Sequence, residues 1–546
     1  MFKKTILSGL AFTAIIAASA QIEIQKGNNP ISIPDDSKFD VSNDRIKDNI
    51  SSASSAMRKV EHTAETTVVY NSKSSSYIGN EKNDNSTKIN KPSILAFIRA
   101  NTEKRSLINN MAAVDTAPIP SVPFAFADFS WLNGTNRQTT ILMDGPVFTP
   151  DFTVDVNYTK SNQNPIDNTV LGSTALSRNN ESTISFVGIG GDFHWENIRG
   201  RIMTQFGTRA TVVPRNDYSG YKGQYDLPDA YRYLSEAYAG YHFNKWHGIN
   251  VDMGIFMSYI GMFSYNNFEN WSYQPSYTSD NTPWFFNGLR IQIFPTEKTK
   301  VEVWLINGWQ SYATFNKMPG IGFSVLHRAN GNNSLITNNY FGTDVAGIPQ
   351  VKRFHTDNSW QHKYYENSKA KGIKKAAFTL TGDFGFQWGS GSGYTYTPFE
   401  STTASNFISG MVYNRVWFGK DAKWGWTVGG GFLHNPSRYL ALVPPGQASD
   451  KFLNDAVPGA KMDGWDASTC IDYSPNQFMT LRLELVHRYM NIPYFNGSGG
   501  VTGPGGYSAL PATSFNPNSY IPSTSTFTPD LVNSESRAIL AFIVRF

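Results

Sequence analysis

The sequence predicts an all-β protein: a transmembrane antiparallel β-barrel of about 16 strands, with short periplasmic turns, long extracellular loops and a largely disordered N-terminal extension. Three observations carry this. Short segments alternate apolar and polar residues along most of the chain. The links between them come in two sizes. The composition is poor in charge (16%) and rich in aromatics (14%) and glycine, where soluble domains carry about 25% charged residues.

The chain opens MFKKTILSGLAFTAIIAASAQ. Lys3 and Lys4, an apolar run and Ala18-Ser19-Ala20 before Gln21 describe a secretory signal peptide over residues 1–20. The run is too short to span a bilayer comfortably, and no later stretch approaches the ~20 apolar residues of a membrane helix. Cys470 is the only cysteine, so no intrachain disulfide can form. A closed hydrogen-bonded barrel would stabilise such an exported chain without staples. The net charge of +4 decides little. No basic run with interleaved aromatics points to nucleic acid.

Residues 21–122 are rich in Ser, Asn and Lys and read as a polar extension. Within it, Pro92–Val114 has loosely periodic apolar positions. It reads either as a short helix seated in a pore or as a weakly ordered linker, with the linker favoured. The proline-rich APIPSVP closes the extension, and 123–546 is the barrel.

From there the alternation recurs. FTVDVNYT sets Phe152, Val154, Val156 and Tyr158 against Thr153, Asp155, Asn157 and Thr159. SEAYAGYHF, INVDMGI, GLRIQIF, KVEVWL, FTLTGDFGFQW and MTLRLEL repeat the pattern. Apolar toward lipid and polar toward a lumen is the period of a membrane barrel. Short links fall at 196–200, 244–247, 295–299, 419–423 and 474–477; long ones near 213–232, 258–283, 311–352, 389–406, 435–462 and 490–535. Short and long links must alternate, which calls for two further strands, at 353–367 and at 137–145. The final LAFIVRF is the closing strand. Leu540, Phe542, Val544 and the terminal Phe546 share one parity and resemble the signal read by the outer-membrane barrel assembly machinery.

The ionisable residues on the lumen parity are the candidate functional groups: Arg201, Glu236, Asp252, Arg290, Glu302, Asp383, Arg415, Arg482 and Glu484. Facing lipid at mid-depth, an Arg would cost about 2–4 kcal/mol, so these should point inward. They either line a water path and set ion preference or pair across strands to hold the wall. Arg290 and Glu302, on one hairpin and one face, are expected to pair. The signs are mixed, so selectivity should be weak. The aromatic loops NFENWSYQPSYTSDNTPWFF and FGFQWGSGSGYTYTPF offer sugar-stacking surfaces, but girdle or loop packing is the commoner use.

No GxSxG elbow, HExxH or P-loop is present, and no metal spacing or cofactor motif stands out. His355, Asp357 and Ser359 in HTDNSWQH fall on one face without any sign of a nucleophile or an oxyanion hole, so a polar strand is the better reading and no enzyme is expected. The chain is too short for a folded plug followed by a 22-stranded TonB-dependent transporter.

The stretch LSEAYAGYHF, the run from VDMGIFMSYIGMFSYNNFENW to KVEVWLINGW, FGTDVAGIPQVKRFHTDNSW and LRLELVHRYMNIPYFNG resemble the OmpL-like β-barrel porins, the putative porin-2 group. The likeness covers most of 124–546. It implies an outer-membrane barrel and a porin function, a passive channel for small hydrophilic solutes or ions, and narrows architecture more than substrate. The alternative is a plugged or closed barrel whose long loops bind a partner or a surface ligand such as carbohydrate. Porins of this size are often homotrimers, but the sequence marks no interface.

Overall fold

The computed structural model describes residues 122–214, 225–345, 347–389, 405–436, 461–501 and 530–546. The signal peptide, the extension up to residue 121 and the helix considered over 92–114 lie outside these. Eighteen strands follow in chain order: β1 (Phe148–Ser161), β2 (Ser182–Trp195), β3 (Ile198–Thr204), β4 (Leu234–Phe243), β5 (Ile249–Met257), β6 (Phe285–Thr296), β7 (Thr299–Ile306), β8 (Gly320–Asn330), β9 (Asn333–Gly342), β10 (Lys352–Glu366), β11 (Ile373–Trp388), β12 (Ser405–Phe418), β13 (Trp424–Asn435), β14 (Met462–Tyr473), β15 (Met479–Met490), β16 (Phe495–Asn496), β17 (Leu531–Val532) and β18 (Ser534–Arg545). Sixteen of them, all but β16 and β17, form one closed barrel; β16 and β17 pair as a small ribbon.

Each strand pairs antiparallel with its sequence neighbour, and β18 closes the ring between β15 and β1. Leu540 lies opposite Tyr158 on one side and Leu483 on the other. At the rim, Phe546 and Phe152 exchange two backbone hydrogen bonds of 2.8 and 3.0 Å. The Phe546 ring stacks on Phe152 and Phe478 at 6.4 and 6.1 Å.

The two faces follow the expected parity. On β1, Thr153, Asp155, Asn157 and Thr159 are buried inside, while Val154, Val156 and Tyr158 face out. Leu483, Leu485, Leu540 and Phe542 are likewise exposed on the outer face. The two link sizes also hold. β2–β3, β6–β7 and β8–β9 turn within two residues at one rim, whereas 258–284 and 491–533 are among the long connections at the other.

Two expectations need correction. Residues 137–145 are not a strand. Arg137, Gln138 and Thr139 instead bond to Thr480, Arg545 and Gln477 at the mouth of the barrel. The stretch 311–352, expected as one long loop, contains the hairpin β8–β9. That hairpin escaped notice because the outer face of β9 carries Thr337 and Asn339, which break the apolar alternation. The count of 16 stands with a changed membership.

Replacing an outward residue at mid-strand, Leu483→Arg, should destabilise the barrel by about 2–4 kcal/mol in lipid vesicles, read by denaturant unfolding. A loss within about 0.5 kcal/mol, the scale of an ordinary surface change, would mean that this face does not meet hydrocarbon.

Candidate functional site

A barrel of this size encloses a channel unless something fills it. Two segments do much of the filling. The first is the β5–β6 loop, 258–284, whose residues from Asn267 to Thr282 are buried apart from Glu269. A loop rich in backbone polar groups can be buried only if the wall satisfies them. Here the wall does so with carboxylates and guanidiniums.

Asp472 on β14 holds two arginines, Arg482 (2.7 Å) and Arg415 (2.7 Å). Arg482 donates to the carbonyls of Asn267 (3.2 Å) and Asn270 (2.6 Å), and Arg415 to that of Trp271 (3.2 Å). Glu484 accepts from the backbone N–H of Tyr273 and of Gln274. The Tyr273 hydroxyl donates to Asp155 (2.9 Å) on β1. Higher up, Asp466 accepts from Ser276 and Tyr277, and Arg488 pairs with Asp280 at 2.9 Å and covers the Tyr277 ring at 3.9 Å. Burial pushes the Asp280 carboxyl above the ordinary aspartate value, against the pull of Arg488. Arg537 donates to Gln274 (3.0 Å), and Arg545 pairs with Glu269. The loop is thus tied to β1, β12, β14, β15 and β18, across the lumen from the strands that carry it.

The second segment is 122–140, which crosses the mouth at the short-turn rim. Phe124 N–H donates to Glu297 O in the β6–β7 turn, and Arg328 stacks on Phe124 and Phe129 at 4.6 and 4.3 Å. Trp131 Nε1 donates to Gly331 O in the β8–β9 turn. Asn133 accepts from Trp271 N–H, and its own N–H donates to Gln361. Thr139 then reaches Gln477 in the β14–β15 turn. β7 and β15 stand on opposite sides of the ring, so this strap spans the mouth from wall to wall, beneath the inward loop.

Between these segments and the wall of β1–β5 lies a cavity of about 440 Å³. Its charged lining is Asp151, Asp192, Glu236 and Glu269 with Arg201 and Arg545. Arg201 pairs with Asp151 (2.7 Å), Asp192 (2.8 Å) and Glu236 (2.7 Å), and Arg545 also pairs with Asp151 (2.9 Å).

The nine expected lumen charges therefore separate. Arg201 and Glu236 line the cavity. Arg415, Arg482 and Glu484 face inward but are taken up by the loop. Asp252, Arg290 and Glu302 knit the wall. The expected Arg290–Glu302 pair is not formed: Arg290 lies opposite Trp304 and pairs with Asp252 at 2.8 Å, while Glu302 pairs with Lys300 and accepts from Gln292. The register is offset by two residues, and Asp252 sits directly across from Arg290 on β5. Asp383 lies 2.6 Å from His355 Nε2. His355, Asp357 and Ser359 do share the inner face, but Ser359 Oγ bonds Thr381. The aromatic loop 267–286 packs inside the lumen rather than presenting a sugar platform; much of the second aromatic loop lies outside the described residues. Sequence reasoning missed Asp151, Asp192, Glu269, Asp472, Arg488 and Arg545. Asp472 and Arg545 carried the lumen parity of neighbouring strands, whereas Glu269, in a loop, carried no periodic signal.

The family model "Putative beta-barrel porin-2, OmpL-like" matches residues 151–515, well over half of the chain. The chain belongs to the OmpL-like beta-barrel porin-2 family. It is a porin-type outer-membrane barrel. No curated protein sequence matches it. Among solved structures it is similar to the outer membrane channel DcaP of Acinetobacter baumannii, at 11% identity and a TM-score of 0.42, covering 73% of this chain and 97% of that one. It is also similar to OmpT of Vibrio cholerae, at 9% identity and a TM-score of 0.40, covering 74% and 100%.

Asp472→Asn should leave Arg415 and Arg482 uncompensated, costing about 3–5 kcal/mol and loosening the inward loop. Single-channel recording would show larger, noisier steps; unchanged stability and conductance would show that this clamp does not hold the loop. Trp131→Ala should detach the strap from the β8–β9 turn and raise the mean conductance, and unaltered traces would rule the strap out as an obstruction.

Proposed function

We propose that the protein is a passive, narrow channel for small hydrophilic solutes and ions, weakly selective, with its short turns in the periplasm and its loops outside the cell. The observation that carries this is the charged cavity along β1–β5. Four carboxylates against two guanidiniums line it, a small excess of negative charge in mutual ion pairs. Such a set supports a modest preference for cations rather than a dedicated anion pathway. On this reading residues 1–20 export the chain, the extension read over 21–122 stays on the periplasmic side, and the closing strand with Phe546 is what the barrel assembly machinery engages.

The second reading, a closed barrel whose loops bind a partner, has one observation in its favour. The inward loop and the strap fill much of the lumen. Planar-bilayer recording of the refolded protein in a salt gradient separates the two. Stable open steps with a reversal potential on the cation side support the channel. A correctly folded, heat-modifiable but silent barrel supports the closed reading.

Within the channel reading, Glu236→Gln with Glu269→Gln should move the reversal potential toward anions, since Arg201 and Arg545 would each lose a partner. A potential that does not move would place the conducting path elsewhere in the lumen.

A further inference from the structure

The charged lining of the cavity along β1–β5 is unevenly satisfied. Arg201 spends every guanidinium nitrogen on a carboxylate: Nε donates to Glu236 (2.7 Å), Nη1 to Asp192 (2.8 Å) and Nη2 to Asp151 (2.7 Å). Arg545 does the same, with Nε and Nη2 on Asp151 and Nη1 on Glu269. The acceptors are not used up in this way. Asp151 commits both oxygens to the two arginines, but Asp192, Glu236 and Glu269 each commit one. Their second oxygens accept no hydrogen bond among the described residues. A solute in the cavity therefore meets unspent acceptors and an excess of negative charge, with both lining guanidiniums already engaged.

Much of the remaining lining is apolar. Phe186 on β2 and Met203 on β3 come from the barrel wall, Met262 and Phe263 from the inward loop, with Met257 and Trp284 at the ends of that loop. Thioethers are polarizable and adapt to more than one shape, and aromatic faces attract cations. Two rings of the lining already hold one: Arg209, which does not itself line the cavity, stacks on Tyr265 and Trp284 at 4.0 and 5.4 Å. Its charge is answered elsewhere. The Asn267 amide accepts from Arg209 (3.1 Å) and donates to Asp155 (2.9 Å), so Arg209 does not offset the excess at the cavity.

These features select among ligand chemistries. A carboxylate or phosphate finds no guanidinium nitrogen without a partner. A neutral polyol leaves the excess charge unanswered and the methionines in contact with hydroxyls. An ammonium group carries three donors and no acceptor, and its bonds to carboxylates are charge-assisted. The volume of about 440 Å³ lies within the range of about 300–1,000 Å³ usual for small-molecule sites.

We propose that this cavity binds primary organic amines: a protonated ammonium group carried on an apolar body about the size of one aromatic ring. The binding itself does not need conduction. Its use as a filter on what passes rests on the channel reading.

The test is isothermal titration of the refolded full chain in detergent micelles with phenethylammonium, ethylammonium, 2-phenylethanol and 3-phenylpropionate, beside bilayer recording with the same compounds. Phenethylammonium should bind about tenfold tighter than each of the others and reduce the single-channel current over the same concentrations. Asp192 has a half-exposed side chain, so Asp192→Asn should keep the heat-modifiable barrel while weakening phenethylammonium severalfold. Met262→Ala should narrow the gap between phenethylammonium and ethylammonium. The proposal fails if the folded barrel binds none of the probes, if the alcohol or the anion binds as tightly as the amine, or if Asp192→Asn binds like the wild type. A silent barrel that binds the amine keeps this inference and removes the channel reading; a conducting barrel indifferent to the amine does the reverse.

Discussion

The constraint on which everything else depends is the closure of the sheet. Hydrocarbon supplies no partner for a backbone N–H or C=O, so an open edge at membrane depth leaves a row of unpaired groups. β1 and β18 remove that edge through a continuous register from Thr153–Arg545 to Ser161–Arg537. Once the ring is closed, alternation has a fixed meaning: one parity meets lipid and the other meets whatever is inside. The faces of all the other strands follow from that choice, and so does the height at which each side chain sits.

The interior then poses its own problem. Strand residues such as Asp155, Asp472, Arg482 and Glu484 are ionisable groups, buried on the inner face against the inward loop. They persist because the loop arrives with an unusual density of free backbone carbonyls and N–H groups. Arg482 illustrates the exchange: its guanidinium is held by Asp472 on one side and binds two loop carbonyls on the other. Neither partner would be stable alone in that position, since a buried charge with its counter-ion removed is destabilising by several kcal/mol. Wall and loop are best regarded as one cooperative polar structure.

This also explains what could be read from the sequence and what could not. The strands were legible because a period of two reports directly on a two-faced environment; Phe152–Tyr158 and Met479–Leu485 are plain cases. The inward direction of all nine candidate charges was legible for the same reason. Their partners were not. Arg290 faces Asp252 rather than Glu302 because register depends on the turn at Pro295–Lys298, which shifts the pairing between Ile293 and Thr296, and alternation is blind to such a shift. Glu269 and Gln274 were invisible because nothing periodic marks a loop that turns inward. The β8–β9 hairpin was lost where one outer face turned polar.

Departures from the two-faced rule are therefore the informative positions, and they occur with both signs. The closing strand is apolar on both faces. Leu540 and Phe542 look out, but Ile539, Ala541 and Ile543 look in, are fully buried, and pack with Val170, Leu176, Phe268 and Tyr273. An apolar inner face is stable there only because loop residues cover it, so LAFIVRF carries in its own sequence the requirement that something fill the lumen beside it. β9 and β10 are the mirror case: Thr337, Thr356 and Asn358 look out, and they bond one another. The physical logic is the same in both places: a residue of the wrong polarity for the bulk phase implies a local neighbour of the right one. For β18 that neighbour is a loop of the same chain, already in place.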